Sequence, residues 1–485
     1  MAERLASLIA VDLGGQSGRV VVGTFSPEGF DLVEAHRFAN GPITIDGVLC
    51  WDVDALFDQT LNGLAIAVSG IRDRGSTVAG IAVDSWGVDY GLVDEAGDLI
   101  APVRHYRANT QHSVDVANER VPREEAYSRT GIMELSINTC YQLVRDEALG
   151  LLESAPTMLL TPDLWTFWLT GQGGAELTIA STTGLMDRRT GTWAEDLVER
   201  WRIPLEVLPK LEPTGSLAGQ TTSDITRRIG APSPVNVFRA PSHDTASAFA
   251  AVVSAGDNSG VISCGTWALV GSSVAAPVLT FEAMSAGFTN ELGAEGATLL
   301  IRNLSGTWLL DECMREWAEA DGTAGVAELR AQLLAEAAGL SAAAVRIDPG
   351  ASQFIEPGRM PERIADMHRR LGGAIALSRA QTVRLILDSL AESFAQTVWA
   401  AGHLAGTTPE RIHMIGGGSQ IDLLTHLTEE ASGLPVVVGH REATSVGNIC
   451  VQAVAAGLFP DLAAARRAAT TMNSATPTAT EGGTP

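Results

Sequence analysis

The sequence predicts an α/β protein built as two lobes. Three observations carry this. At 485 residues the chain is too long for one ordinary domain and calls for two or three. Hydrophobic residues make up 45% and charged residues 19%, which builds large cores and argues against a disordered chain. A strand that ends in a tight glycine turn and leads into a second strand-like run occurs twice, at residues 9–15 and 261–266.

The elements follow in order. Leu8-Ile9-Ala10-Val11 is apolar and stops at Asp12-Leu13-Gly14-Gly15; the run Arg19 to Gly23 follows, and the pair reads as a hairpin. Val53, Phe57, Leu61, Leu64, Val68 and Ile71 recur at helical spacing and predict a helix over 53–72. Ile81-Ala82-Val83 reads as a strand. Residues 115–235 read as mixed and mostly helical, with Pro204, Pro209, Pro213, Pro232 and Pro234 marking loops near the end. Val235 to Phe238 reads as a strand that leads to Pro241-Ser242-His243-Asp244-Thr245 and an Ala-rich helix. Val261-Ile262-Ser263 is a strand running into Cys264-Gly265-Thr266-Trp267. Ser378 and Gln381 have capping-box form ahead of a long amphipathic helix through Val383, Leu387, Leu390, Phe394 and Val398. Ile412 to Ile415 is a strand ending in Gly416-Gly417-Gly418-Ser419. Residues 470–485 are Ser, Thr, Pro, Gly and Ala in the main and read as a disordered tail. A duplicated strand–glycine-turn–strand unit in two lobes is the plan of the actin-like (ribonuclease H-like) ATPase fold, although many α/β proteins contain such turns.

Charge narrows the function. Lys and Arg total 33 against 57 acidic residues, a net charge of −24. Nucleic acid or an anionic membrane would meet repulsion, whereas a small anion can still bind a local pocket of backbone N–H groups. The five cysteines, Cys50, Cys140, Cys264, Cys313 and Cys450, are scattered with no C-x-x-C pair. They read as reduced cytosolic thiols, not a disulfide framework or zinc site. The N-terminus lacks signal-peptide form, and no run of about 18 apolar residues exists. A cytoplasmic enzyme is the expectation, monomer or homodimer, with no nucleic-acid or membrane partner.

Five segments could carry chemistry. In residues 12–19, three glycines and a serine at a strand end let backbone N–H groups approach a phosphate. Asp12 is the candidate for a Mg2+ ion, directly or through water, and Arg19 for a phosphate. An ordinary hairpin turn explains the same residues. Gly265-Thr266 and Gly416-Gly417-Gly418-Ser419 are two further glycine turns that could surround a nucleotide, or mere punctuation among 50 glycines. Asp244 stands where a strand end meets a helix start, so its carboxylate could take a proton from an attacking hydroxyl. It could equally be a helix N-cap. In Asp84-Ser85-Trp86-Gly87-Val88-Asp89 an aromatic ring and carboxylates suit a sugar, or form a turn with a buried Trp. Asn303, after Leu299 to Arg302, is a strand-end polar group or a turn residue.

With these residues placed, the chain resembles the FGGY family of carbohydrate kinases. The resemblance runs from about Leu8 to about Phe459. It rests on VDLGGQSGR (11–19), HRFANG (36–41), WDVD (51–54), DSWGVDYGLVD (84–94), SHDTASA (242–248), SCGTWAL (263–269), GGGSQ (416–420) and EATSVGN (442–448). It implies two actin-like lobes, each a mixed sheet flanked by helices, with a catalytic cleft between them. The implied limits are 1–250 for the first lobe, 251–458 for the second, and 459–485 for a C-terminal helix and tail. It implies ATP and Mg2+, with Gly15, Gln16, Ser17, Gly18, Arg19, Thr266 and Gly417 at the nucleotide. Asp244 becomes the proton acceptor, and Gly87, His243, Asp244, Thr245 and Asn303 the sugar pocket. The implied reaction passes the γ-phosphate of ATP to the 1-hydroxyl of L-rhamnulose, a step of L-rhamnose catabolism. L-fuculose or a pentulose is the alternative acceptor, and a non-catalytic actin-like ATP-binding protein a third reading. The chain departs from the family pattern at Asp311, Ile421, Ala108 and Ile137. Asp311 stands where glutamine is frequent near the nucleotide and is left out of the bound set.

Overall fold

The computed structural model describes residues 6–470 apart from 28, 155, 254–256, 323–324 and 374–375. The chain divides into two units. The first holds Met1–Ser254, Glu291–Gly296 and Glu442–Pro485; the second holds Ala255–Asn290 and Ala297–Arg441.

In the first unit, β1 (Ala6–Leu13), β2 (Ser17–Ser26), β3 (Gly29–Ala39), β4 (Thr77–Ser85), β5 (Leu217–Gln220) and β6 (Asn236–Phe238) form one sheet. Its order is β5-β6-β4-β1-β2-β3. β1 runs antiparallel to β2 and parallel to β4; β2 runs antiparallel to β3, and β4 parallel to β6. The unbroken apolar run of β1 has a simple cause. Successive side chains point to opposite faces, and both faces are covered. Ile9, Val11 and Leu13 pack with Leu61, Leu64 and Val68 of the helix Val53–Asp73. Leu8 and Ala10 pack with Val446, Ile449 and Cys450 of the helix Ala443–Ala455. Asp12 continues the even-numbered row and so faces the second helix. The first helix starts where Asp52 accepts a hydrogen bond from the Ala55 N–H, 3.1 Å away. Residues 90–207 add a further core around Leu143, Leu160, Leu197 and Trp201, set among short helices as the sequence suggests.

The second sheet comprises β7 (Ser259–Cys264), β8 (Trp267–Val274), β9 (Thr289–Leu292, whose last two residues belong to the first unit), β10 (Thr298–Ser305), β11 (Arg411–Ile415) and β12 (Val436–Val438) in the order β9-β10-β8-β7-β11-β12. β7 is antiparallel to β8 and parallel to β11; β8 is antiparallel to β10, and β11 parallel to β12. Thus β3-β2-β1-β4-β6 and β10-β8-β7-β11-β12 have the same order and the same directions. The faint sequence echo marks the equivalent hairpin in each. The helix Arg379–Ala405 starts at a complete capping box between Ser378 and Gln381 and buries Val383, Leu387, Leu390, Phe394 and Val398.

Expectation and structure can be compared at three places. The helix Ala443–Ala455, inside the expected limits of the second lobe, packs on β1, β4 and the helix Asp244–Ala250 of the first unit. Asn303 is not a turn residue: β10 runs through it, and it pairs with Leu269. A helix does form at Leu462–Thr470, while the tail predicted after it lies outside the described residues. All five cysteines are buried and free. Among the described residues no helix is long and apolar enough to cross a membrane.

Candidate active site

Strand register assembles the first group of charges. Asp12 lies opposite Arg19 on β2 and opposite Asp84 on β4, so the three side chains share one face at one end of adjacent strands. Arg19 Nε donates to Asp12 Oδ2 at 2.9 Å, and the guanidinium also pairs with Glu442. The sequence suggested Arg19 for a phosphate; the structure sets it between two carboxylates. Burial raises the Asp12 pKa against the opposing pull of Arg19. Asp84 accepts a 2.5 Å hydrogen bond from Asn448 Nδ2, while its buried Oδ1 has no protein partner. Burial, and then Asp12, hold its carboxyl well above the usual carboxylate range.

The turn between β1 and β2 is clamped from outside. Gly14 N–H donates to Ser17 O at 3.0 Å. Asn40 donates from its backbone to Gln16 O at 3.0 Å and from Nδ2 to Gly14 O at 2.7 Å. Gly15 and Gln16 form the exposed tip, and Ser17 is half-buried. Gly18 is glycine for another reason: a Cβ there would lie 2.3 Å from the Phe38 ring. The predicted phosphate loop thus has an exposed tip at Gly15 and Gln16 and a tightly packed flank at Gly18.

A second group gathers at residues 242–245. Ser85 N–H donates to Ser242 O at 2.9 Å, which ties this segment to the end of β4. The buried Glu176 carboxylate accepts from Ser242 N–H at 3.0 Å and from Thr178 N–H at 2.9 Å. Thr178 Oγ1 in turn accepts from His243 N–H at 3.2 Å. The N-cap position belongs to His243, not Asp244, which is the first residue of the helix Asp244–Ala250. Asp244 therefore caps nothing. Its side chain is about one-third exposed (33%). Its Oδ1 accepts from Thr245 Oγ1 at 3.1 Å and lies 3.5 Å from His243 Nε2. His243 Nδ1 lies 3.1 Å from Glu291 Oε2. Gly87 closes this pocket: a Cβ there would lie 3.3 Å from Thr182 Oγ1 and 3.6 Å from His243 Nε2. Gly87, His243, Asp244 and Thr245 are thus brought together. Glu176, Thr182 and Glu291 join them with no motif to announce them.

The Trp86 segment works differently from the sequence expectation of a ring stacked on sugar. Trp86 is buried against Trp51, with ring centroids 4.3 Å apart. Asp89 accepts from Trp51 Nε1 at 2.6 Å, Trp86 Nε1 at 3.1 Å, Gln142 Nε2 at 3.1 Å and Tyr106 N–H at 3.3 Å. Burial pushes the Asp89 pKa up to about 6 in spite of these donors. Its lone pairs serve the protein, so this is the buried-Trp turn.

The second unit holds Thr266, Gly417 and Asn303. Thr266 lies in the turn between β7 and β8, half-buried. The Gly416–Gly418 turn lies against the end of β7: Gly416 has φ +84°, and a Cβ on it would lie 2.6 Å from Cys264 O. A Cβ on Gly418 would lie 2.3 Å from Cys264 Sγ, whereas Gly417 faces open space. Packing therefore accounts for Gly416 and Gly418 and not for Gly417. Asn303 is exposed on β10. The charge of Asp311 is countered locally: Oδ1 accepts from Arg330 at 2.5 Å and Oδ2 from Thr307 Oγ1 at 2.7 Å.

Among the described residues no three His, Cys, Asp or Glu side chains are grouped to hold a metal ion. Mg2+ commonly takes one or two carboxylates and otherwise water and phosphate oxygens. The buried Asp12 carboxylate fits that limited role.

Comparison with known proteins adds the family. Residues 7–251 match the N-terminal domain model of the FGGY family of carbohydrate kinases, and residues 260–456 match its C-terminal domain model. The chain is 34% identical to the rhamnulokinase of Bacteroides thetaiotaomicron over 464 residues, 95% of this chain and 93% of that protein. It is 31% identical to the rhamnulokinase of Oceanobacillus iheyensis over 462 residues, 95% of each. Among solved structures it resembles xylulose kinase from Rhodospirillum rubrum (TM-score 0.78, 19% identity, 96% of this chain and 92% of that one). It also resembles Plasmodium falciparum glycerol kinase with ADP (TM-score 0.74, 13% identity, 96% and 92%). At these identities the solved structures speak to the fold alone.

Proposed function

The chain belongs to the FGGY family of carbohydrate kinases, and from that premise we propose that it phosphorylates the 1-hydroxyl of L-rhamnulose with ATP. The products are L-rhamnulose 1-phosphate and ADP. The observation that carries the chemistry is Asp244: a partly exposed carboxylate with one oxygen engaged by Thr245 and near His243. The choice of sugar rests on relatives at 31–34% identity over nearly the whole chain.

In this reading the sugar 1-hydroxyl gives its proton to Asp244 as its oxygen forms the new bond to the γ-phosphorus. The bond from that phosphorus to the bridging oxygen of ADP breaks. Positioning and charge neutralisation supply most of the rate. In the first unit His243, Thr245 and Gly87 bind the sugar; in the second unit Asn303 is the residue the family resemblance assigns to it. In the first unit Gly15, Gln16 and Ser17 offer backbone N–H groups to the phosphates of ATP; in the second unit Thr266 and Gly417 are the nucleotide-binding residues. Arg19 and Gly18 shape the loop. Bound through Asp12, Mg2+ would neutralise phosphate charge.

A coupled ADP assay with L-rhamnulose, L-fuculose, L-xylulose, D-xylulose and D-ribulose tests the substrate. L-Rhamnulose is expected to have the highest kcat/KM, by about tenfold or more, because misplaced hydroxyls leave pocket groups unpaired. A larger kcat/KM for another sugar overturns the assignment.

Gly15 gives a separate test of the phosphate loop. A Cβ there meets nothing within 4 Å, so Gly15→Val is expected to keep the melting temperature. It blocks close backbone approach, and losing one charge-assisted hydrogen bond raises KM for ATP roughly 10–100-fold. An unchanged KM would remove Gly15 from the nucleotide site.

A further inference from the structure

We infer that Glu291 is a positioning residue for phosphoryl transfer: it holds the His243 ring so that Nε2 faces Asp244 Oδ1 and Asp244 Oδ2 is left for the sugar hydroxyl. The inference rests on the reading of Asp244 as the base.

Geometry supplies the first support. The His243 side chain is buried and that of Glu291 is partly so, 9% and 12% exposed. The two ring nitrogens face two carboxylates, Glu291 Oε2 at 3.1 Å from Nδ1 and Asp244 Oδ1 at 3.5 Å from Nε2. A neutral imidazole has one N–H, so one of these contacts would set a lone pair against a carboxylate oxygen. A doubly protonated ring sets a cation against both carboxylates, as ion-pair contacts outside hydrogen-bond alignment. Burial opposes the ring's charge, but Glu291, then Asp244 and Glu176, outweigh it and raise the His243 pKa to about 9. Arg188 also feels the Glu291 charge; burial lowers its pKa to about 10 while Glu291 opposes that shift. Glu291 thus serves two buried cations.

The consequence for Asp244 is selective. Oδ1 receives Thr245 Oγ1 and faces the imidazolium, so rotation of the carboxylate is restrained. Oδ2 is the oxygen that meets the sugar. Without Glu291, burial favours the neutral ring, Nε2 need no longer carry a proton, and the carboxylate loses a restraint. Such a misplacement costs about 100-fold in rate.

The test compares the unaltered enzyme with Glu291→Gln and Glu291→Asp in the ketose-dependent ADP assay across pH. In the unaltered enzyme, kcat should fall as pH rises through about 9, where His243 loses its proton. In folded Glu291→Gln, kcat should fall about 100-fold with little change in either KM, and the alkaline limb should move below pH 7. Glu291→Asp should restore part of both. An unchanged kcat and limb, or a loss confined to thermal stability, overturns the inference. If Glu291→Gln does not fold, side-chain NMR of His243 in the unaltered enzyme decides: titration near the ordinary value of about 6.5 overturns the inference. Failure of the underlying reading looks different, since the unaltered enzyme would then turn over no ketose, or Asp244→Asn would retain turnover.

Discussion

Asp244→Asn is expected to lower kcat by about 10²–10⁴-fold, the usual contribution of a positioned general base. The amide matches the carboxylate in shape and can still accept the Thr245 hydroxyl at the same oxygen, so the fold and the pocket should survive. What it cannot do is take a proton. The loss therefore falls on the chemical step, with kcat reduced and both KM values little changed. Steady-state kinetics with calorimetric ATP binding separates these effects. Retained turnover would sink the assignment.

Gly447→Ala is expected to reduce both stability and rate. The helices Ala443–Ala455 and Asp244–Ala250 cross so closely at Gly447 that a Cβ would sit 1.8 Å from Ser247 O and 2.9 Å from Ser247 C. These are backbone atoms and cannot rotate away, so the helices must part. Overpacking of this kind costs about 1–3 kcal/mol. Ser247 also donates its N–H to His243 O at 2.9 Å, so moving it disturbs the residues that bear the reaction. A kcat loss of about 100-fold should accompany the fall in melting temperature. A melting temperature unchanged in a calorimetric scan would contradict the close approach.

Local signals were the legible ones. The capping box at Ser378 and Gln381 marks the start of one long helix, and the apolar spacing after Val53 and after Val383 predicts the buried faces. The alternation of Leu8, Ile9, Ala10 and Val11 shows only that both faces are apolar; the helix on each face comes from elsewhere in the chain. Asp244 and Gly87 could be singled out because a strand end and a glycine turn expose them. Arg19 could not be placed. Its neighbours look like a phosphate loop, but register sets it against Asp12, and Glu442 arrives 423 residues later. Trp86 has the composition of a sugar platform, yet the deciding partner, Trp51, lies on another strand. Glu291 sits in Thr-Asn-Glu-Leu, which carries no motif, and only folding brings it to His243.

The return of residues 443–455 to the first unit bears on synthesis at the ribosome. The strands β1 to β6 are complete by residue 238, but the helix that covers Leu8 and Ala10 emerges only after the second unit has been made. At about 5–20 residues per second the intervening segment takes roughly 10–40 s to translate. During that interval the even-numbered face of β1 lacks the cover of the helix Ala443–Ala455, and Asp84 lacks Asn448. The second unit, begun later, has its strands and long helix assembled first. The earliest part of the chain to be made therefore gains its last covering helix at the end of synthesis, and until then Leu8 and Ala10 have only neighbours such as Phe30 and Ala250 to pack against.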